Sequence, residues 1–326
     1  MSSAVEKNAM VSVIIPTYNR AKLVGQAIES VLRQTFDDYE IIVIDDGSAD
    51  DTRDVVTKKY PQVEYIYQDN AGVAAARNRG LRVAKGELVA FLDADDVWYD
   101  DKLEKQVQIM RGDKSVPLCF SDWRVIKNGV VAHDSGMLAG GLNLDTEFDY
   151  SNLITGFCIL PSTVMVRRDL VLKYGLFNEQ LALCEDWDLF TRISTEGKIV
   201  FINKPMIDRF LGQDNLIGRT EVWMRASVEI IAKHMGMIAD GRLNVPNRAT
   251  ALERLGKRLL RDGERLAYIL YTSGKANEAR SVLLRCVFIG KSINNDIARL
   301  LIKTCIPHKL GRKIKHVVLG NRLNND

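Results

Sequence analysis

The chain has 326 residues, 46% of them hydrophobic, and its 45 Lys/Arg against 42 Asp/Glu leave a net charge of +3. That length is enough for one large core plus an accessory unit, and no run of about 18 uncharged apolar residues argues for a bilayer-spanning helix. Cys119, Cys158, Cys184, Cys286 and Cys305 are scattered without zinc or disulfide spacing, which suits reduced thiols in a cytoplasmic protein.

Residues 1–10 are polar and charged, so the expectation there is a disordered segment rather than a signal peptide. Residues 11–15, Val-Ser-Val-Ile-Ile, are β-rich and stop at Pro16-Thr17-Tyr18-Asn19-Arg20. A helix is predicted over 21–34, with Leu23, Ala27, Ile28, Val31 and Leu32 on one face. Residues 41–44, Ile-Ile-Val-Ile, read as a strand covered on both faces. They end in Asp45-Asp46-Gly47-Ser48, where Ser48 is expected to cap a helix running to Lys59. A third strand over 63–67 leads into Asp69-Asn70-Ala71-Gly72 and a helix carrying Arg77 and Asn78. The fourth, over 88–92, ends in Asp93-Ala94-Asp95-Asp96. Regular alternation of strand and helix predicts an α/β fold with a doubly wound, mostly parallel sheet.

Three carboxylates at a strand end admit two readings. In open parallel sheets ligands bind outside the carboxyl ends of the strands, where one or two carboxylates and substrate phosphate oxygens hold Mg²⁺ or Mn²⁺. Equally, Asp95 or Asp96 would cap a helix starting near Tyr99. Farther on, residues 118–122 read as a strand and 123–132 as a hairpin turning at Asn128-Gly129. Residues 134–150, with Gly140-Gly141, are expected to form a mobile loop over the site. Cys184-Glu185-Asp186-Trp187-Asp188-Leu189 sets acids in the first turn of another helix, where the dipole favours them.

Five of these motifs, in order, carry a resemblance: Val-Ser-Val-Ile-Ile-Pro-Thr-Tyr-Asn, Ile-Asp-Asp-Gly-Ser, Asn-Ala-Gly with Ala-Arg-Asn, Leu-Asp-Ala-Asp-Asp, and the Glu-Asp element at 185–186. Over roughly residues 11–211 the chain resembles the inverting, nucleotide-sugar-dependent glycosyltransferases of family two. The resemblance implies the Rossmann-like GT-A fold over 11–218. It also implies transfer of a hexosyl or N-acetylhexosaminyl group, from a UDP-sugar foremost, to a saccharide or lipid-linked saccharide. That chemistry belongs to bacterial-type surface polysaccharide or glycoconjugate assembly. By the same resemblance Asp46 contacts the base, while Pro16, Thr17 and Asn19 shape the base and ribose pocket. Arg77 sits near the diphosphate or orders the aspartates. Asp93 and Ala94 lie against the ribose or a metal-bound water, and Asp95 ligates Mn²⁺ or Mg²⁺. Asp186 is the general base, with Glu185 as its acidic neighbour and an acceptor contact. Asp96 stays a helix cap, and Ser121-Asp122 is similar to a position near the donor sugar.

One departure stands out. Many relatives carry an Arg-x-His element whose His completes a metal site, whereas Asp208-Arg209-Phe210-Leu211-Gly212-Gln213-Asp214 has no His. Either Gln213, Asp214 or water replaces it, or the metal rests on Asp95 and the diphosphate.

The small net charge conceals a division. Residues 248–326 hold 17 Lys/Arg and 6 Asp/Glu, a net of +11, leaving −8 for the rest. Residues 219–326 are expected to be helical, and 266–280 resemble one tetratricopeptide-type hairpin that packs on the catalytic domain or mediates homo-oligomer assembly. The basic amphipathic stretch over 297–323 suits an anionic membrane surface, placing the protein peripherally on the inner face of the cell membrane. No reading motif for nucleic acid accompanies the charge. Two rival classes remain: a sugar nucleotidyltransferase, which would need a Gly-rich phosphate loop where Pro16-Thr17-Tyr18-Asn19 stands, and an inactive nucleotide-sugar-binding scaffold, against which Asp95 and Asp186 argue.

Overall fold

The computed structural model describes residues 9–136, 147–154, 159–211 and 220–290. The chain divides into two compact units, one of residues up to Leu181 with Glu185–Asn215, the other of Ala182–Cys184 with the chain from Leu216 onward. The first is built on a ten-stranded sheet. At its centre β1 (Val11–Thr17) is buried along its whole length, with β2 (Tyr39–Asp46) and β4 (Leu88–Phe91) parallel to it on either side. Beyond β2 lies β3 (Glu64–Gln68), also parallel. The β-branched runs in β1 and β2 fit this position, because both faces of a central parallel strand are covered.

The doubly wound α/β sheet is therefore present, and its second half adds antiparallel strands that the alternation did not predict. β9 (Val164–Arg167) runs antiparallel between β4 and β6 (Leu118–Lys127). The long β10 (Ile199–Leu211) is parallel to β6, and antiparallel to β5 (Asp96–Trp98) and β8 (Glu147–Phe148). β7 (Val130–His133) folds back on β6 at the anticipated turn, where Asn128 and Gly129 take φ of 52° and 78° as a two-residue hairpin requires. Strands of three or four residues show no readable period, which is why β5 and β9 escape a pattern-based reading.

Several local expectations are corrected. The first helix is Val24–Leu32, and it buries Val24, Ala27, Ile28 and Val31 while Leu23 and Leu32 are each 37% exposed. Ser48 caps no helix: its Oγ accepts from Asn19 N–H at 2.8 Å, and the helix Thr52–Lys59 starts four residues later. Neither Asp95 nor Asp96 is a cap, because the chain enters β5 before the helix Lys102–Gly112 begins. Gly80 decides how the helix Val73–Val83 lies on the sheet. A Cβ there would come 2.5 Å from Ile14 Cγ2, so only glycine lets this helix approach β1 and bring Arg77 to the strand ends.

The second unit holds three helices among the described residues, Thr220–Ala239, Arg248–Thr272 and Ala276–Gly290. Asn247 caps the middle one, accepting from Thr250 N–H at 3.3 Å, and Gly274 at φ +83° turns the chain into the last. Leu255, Leu259, Leu266 and Leu270 form its buried stripe. No described helix is long and apolar enough to cross a membrane. Of the loop expected over 134–150, residues 137–146 lie outside the described residues, as do Gln213, Asp214 and the basic stretch at 297–323, while 147–148 form β8 and Tyr150 opens a short helix.

Candidate active site

Leu92 N–H donates to Ile14 C=O, which carries the β1–β4 pairing to the sheet's edge. The next four residues form a β-turn closed by Asp96 N–H donating to Asp93 C=O at 3.0 Å. Three carboxylates are thus confined to one turn. The Asp95 side chain is 38% exposed, with Arg20 Nε 3.9 Å from its Oδ2. Partial burial and the Asp93 charge raise its carboxyl above the ordinary range, with Arg20 and Arg209 opposing. Asp96 is buried and accepts from Ser162 Oγ at 2.6 Å. Burial, then Asp93, pushes its carboxyl up as well.

The other acidic element meets this turn through Arg77. Its side chain is only 4% exposed; Nη2 donates to Asp93 Oδ1 at 2.8 Å and Nη1 to Glu185 Oε1 at 2.6 Å. The guanidinium also lies 5.5 Å from the centre of the Phe177 ring. Asn78 fixes the same loop, donating to Phe177 C=O and accepting from Phe177 N–H, both at 2.9 Å. Glu185 opens the helix Glu185–Ile193, preceded by Cys184 in a left-handed conformation at φ 65°. Such a residue costs on the order of 1 kcal/mol or more, and such strain is common beside functional sites. Asp188, one turn in, is neutralised by Arg192 at 2.8 Å, which anchors the helix.

Asp186 keeps partial contact with solvent, yet the protein around it displaces enough water to matter. Burial first, then the Glu185 charge, lifts its carboxyl to about 7, against the pull of Arg77. One buried cation therefore serves Asp93, Glu185 and Asp186 together. This excess of negative charge is the site's electrostatic signature.

At the ends of β1 and β2, Pro16 pairs with Ile44 and Thr17 with Asp45. Thr17 Oγ1 is buried without a partner. Asn19 stands at φ 51°, and its Oδ1 accepts from Ala49 N–H at 2.8 Å. Asp46 accepts from Gln68 Nε2, Ala71 N–H and Gly72 N–H at 2.7–2.9 Å, so its carboxylate already holds the loop after β3. It is Asp45 that borders a cavity of about 360 Å³, together with Ser48, Arg53, Tyr65 and Tyr67. A larger cavity, about 620 Å³, lies at the amino ends of β1 and β4 near Met10 and Gly86, away from these acids.

No three His, Cys, Asp or Glu side chains converge as a metal cage among the described residues. The donor set nevertheless fits Mg²⁺ or Mn²⁺, which take one or two carboxylates and complete their shells with substrate oxygens and water. Asp95 is a part-exposed hard-oxygen donor beside a second carboxylate, and a cation would offset the burial and the Asp93 repulsion that raise its carboxyl. Sequence reasoning gave no role at this turn to Arg209, opposite Asp96 in the β5–β10 pairing, to Ser162 or to Arg20. All three reach the turn from distant segments, so their meeting there has no local signal.

A model of the family described as "Glycosyl transferase family 2" matches residues 12–175. An uncharacterized glycosyltransferase of Rickettsia felis is 35% identical over 63% of this chain and 34% of its own length. A chondroitin synthase of Pasteurella multocida is 32% identical over 65% and 22%. The chain thus spans about a third or less of the length of these two relatives. Among solved structures, S. aureus TarS 1–349 in complex with UDP-GlcNAc superposes with a TM-score of 0.66 at 20% identity, over 89% of this chain and 83% of that one. The mannosyltransferase PcManGT of Pyrobaculum calidifontis, in complex with GDP-Man and Mn²⁺, gives 0.55 at 17%, over 96% and 88%. At such identities these likenesses speak for the fold.

Proposed function

The chain belongs to glycosyl transferase family 2, and from that premise we propose that it moves a sugar from a nucleoside diphosphate sugar to an acceptor hydroxyl with inversion. The observation that carries this reading is the Arg77 guanidinium, which joins the strand-end turn of Asp93 to Glu185 at the helix start that also carries Asp186. Asp186 is the general base. With its carboxyl near 7 it accepts a proton at neutral pH, as an ordinary aspartate in water does poorly. Direct displacement by a hydroxyl so activated inverts the anomeric carbon. Glu185 holds Asp186 in that state and meets the acceptor. Arg77 keeps the two acidic elements in register and limits their repulsion.

Asp95, with Asp93 beside it, would hold a divalent cation, which when bound supplies Lewis-acid neutralisation of the departing diphosphate. Arg20 and Arg209 add positive charge close by. Pro16, Thr17, Asn19 and Asp46 frame the base and ribose. A UDP-sugar donor is supported by the TarS complex with UDP-GlcNAc, and a glycan acceptor by the chondroitin synthase relative. Mn²⁺ is supported by the PcManGT complex.

The test is a panel of UDP- and GDP-sugars with Mn²⁺ or Mg²⁺, read as thermal stabilisation and as slow donor hydrolysis. Stabilisation by one donor, dependent on the cation and lost in Asp95→Ala, is the expected result. Full donor binding and hydrolysis by Asp95→Ala would remove Asp95 from the ligand set.

A further inference from the structure

Ser162 lies in the short turn Pro161–Thr163 that leads into β9. Because β9 runs antiparallel to β4 with Ala90 opposite Met165, the same register carried three residues on sets Ser162 opposite Asp93. Its side chain is fully buried. The hydroxyl accepts from Asp93 N–H at 3.0 Å and donates to the Asp96 carboxylate at 2.6 Å. Those two residues are the first and last of the turn that displays Asp95. The turn's own closure is one hydrogen bond, Asp96 N–H to Asp93 C=O. Ser162 is itself held from behind, since its carbonyl accepts from Trp98 Nε1 at 2.9 Å. The buried Trp98 ring is packed in turn by Lys102 Nζ, 4.0 Å from its centre.

A hydroxyl has a single proton, and here Asp96 takes it. Ser162 therefore has no proton to give a substrate. Its bond to the Asp96 carboxyl is short, at 2.6 Å. We infer that Ser162 is a positioning residue: its hydroxyl clamps the two ends of the 93–96 turn and so sets the orientation in which Asp93 and Asp95 meet a diphosphate and its cation. The inference rests on the nucleotide-sugar reading above. Its expected size is set by positioning effects in general, where a misplacement of about 1 Å can cost on the order of 10²-fold in rate.

The experiment compares wild type, Ser162→Ala and Ser162→Thr by calorimetric titration with UDP, once in EDTA and once with saturating Mn²⁺, alongside melting curves. Ser162→Ala is expected to melt within a few degrees of wild type and to bind UDP normally in EDTA. It should lose at least about ten-fold of the affinity that Mn²⁺ adds. Ser162→Thr, which keeps the hydroxyl, should regain most of that loss. If the alanine variant does not fold, Ser162→Cys, of similar volume but with a weak donor and acceptor, takes the same test. The full Mn²⁺-dependent gain in a variant without the hydroxyl overturns the inference alone, as does an equal loss with and without Mn²⁺. A wild-type protein that binds UDP with no Mn²⁺-dependent gain overturns the cation reading of the site, and this inference with it.

Discussion

Two buried arginine–aspartate clusters, one in each unit, use similar residues to opposite ends. In the helical unit Asp262 accepts from Ser227 Oγ at 2.7 Å and from Arg258 and Arg261 Nε at 3.2 Å each. One carboxylate is met by two cations and a hydroxyl. In the sheet unit the ratio is reversed, with Arg77 as the buried cation for Asp93, Glu185 and Asp186. A cluster with its charge met is a structural joint. One with unmet negative charge holds a carboxyl near neutrality, and that poise is of use to a proton acceptor.

The comparison breaks most sharply at Asp186. Asp186→Asn keeps the shape and removes the base, so transfer should fall about 10²–10⁴-fold with donor binding retained; product formation and UDP titration on one preparation check both. Transfer at the wild-type rate would return the Arg77 cluster to the structural class.

Arginine truncation should cost the sheet unit on the order of 3–5 kcal/mol, because Arg77→Ala strands buried acids without their cation. Asp262→Ala should cost the helical unit a similar amount by removing the buried carboxylate that Ser227, Arg258 and Arg261 share, while leaving UDP affinity unchanged. Melting curves with and without UDP separate the two, and a loss of UDP binding in Asp262→Ala would contradict the contrast.

A pH profile sharpens the same point. Catalytic turnover should rise through about pH 7 as Asp186 loses its proton. Stability should move the other way. The folded carboxyl holds its proton to higher pH than the unfolded one, so this group's contribution is complete below about pH 4 and lost as pH rises through 7. Asp186→Asn should flatten both trends.

The smallest expected effect is at Asp46. Asn there turns one acceptor oxygen into a donor facing the donors of the 68–72 loop, which should cost about 1 kcal/mol per lost bond. Nucleotide affinity would fall with it if the loop frames the base, and unchanged affinity would confine Asp46 to a structural role.

Much of this molecule was legible in its residues. The apolar runs of β1, β2 and β4 and the Gly, Asn and Asp breaks after them identified the parallel half of the sheet, because central parallel strands bury both faces and end at a ligand-binding edge. The Asp93-Ala94-Asp95 and Glu185-Asp186 elements stood out as acids at ends of elements, where charge needs a reason. What the sequence could not state is who meets whom. That Arg77 reaches Glu185, 108 residues along the chain, that Ser162 bonds both ends of the 93–96 turn, and that Asp46 is occupied with the 68–72 loop while Asp45 borders the cavity are long-range facts. So is the role of Asp96, which a helix-cap reading misplaced because β5 is three residues long and forms only against β10. Strand patterns and turn residues are local properties of the chain. Ion-pair partners, burial and the perturbed carboxyl of Asp186 exist only once β4, β9 and the helix Glu185–Ile193 pack and exclude water around them.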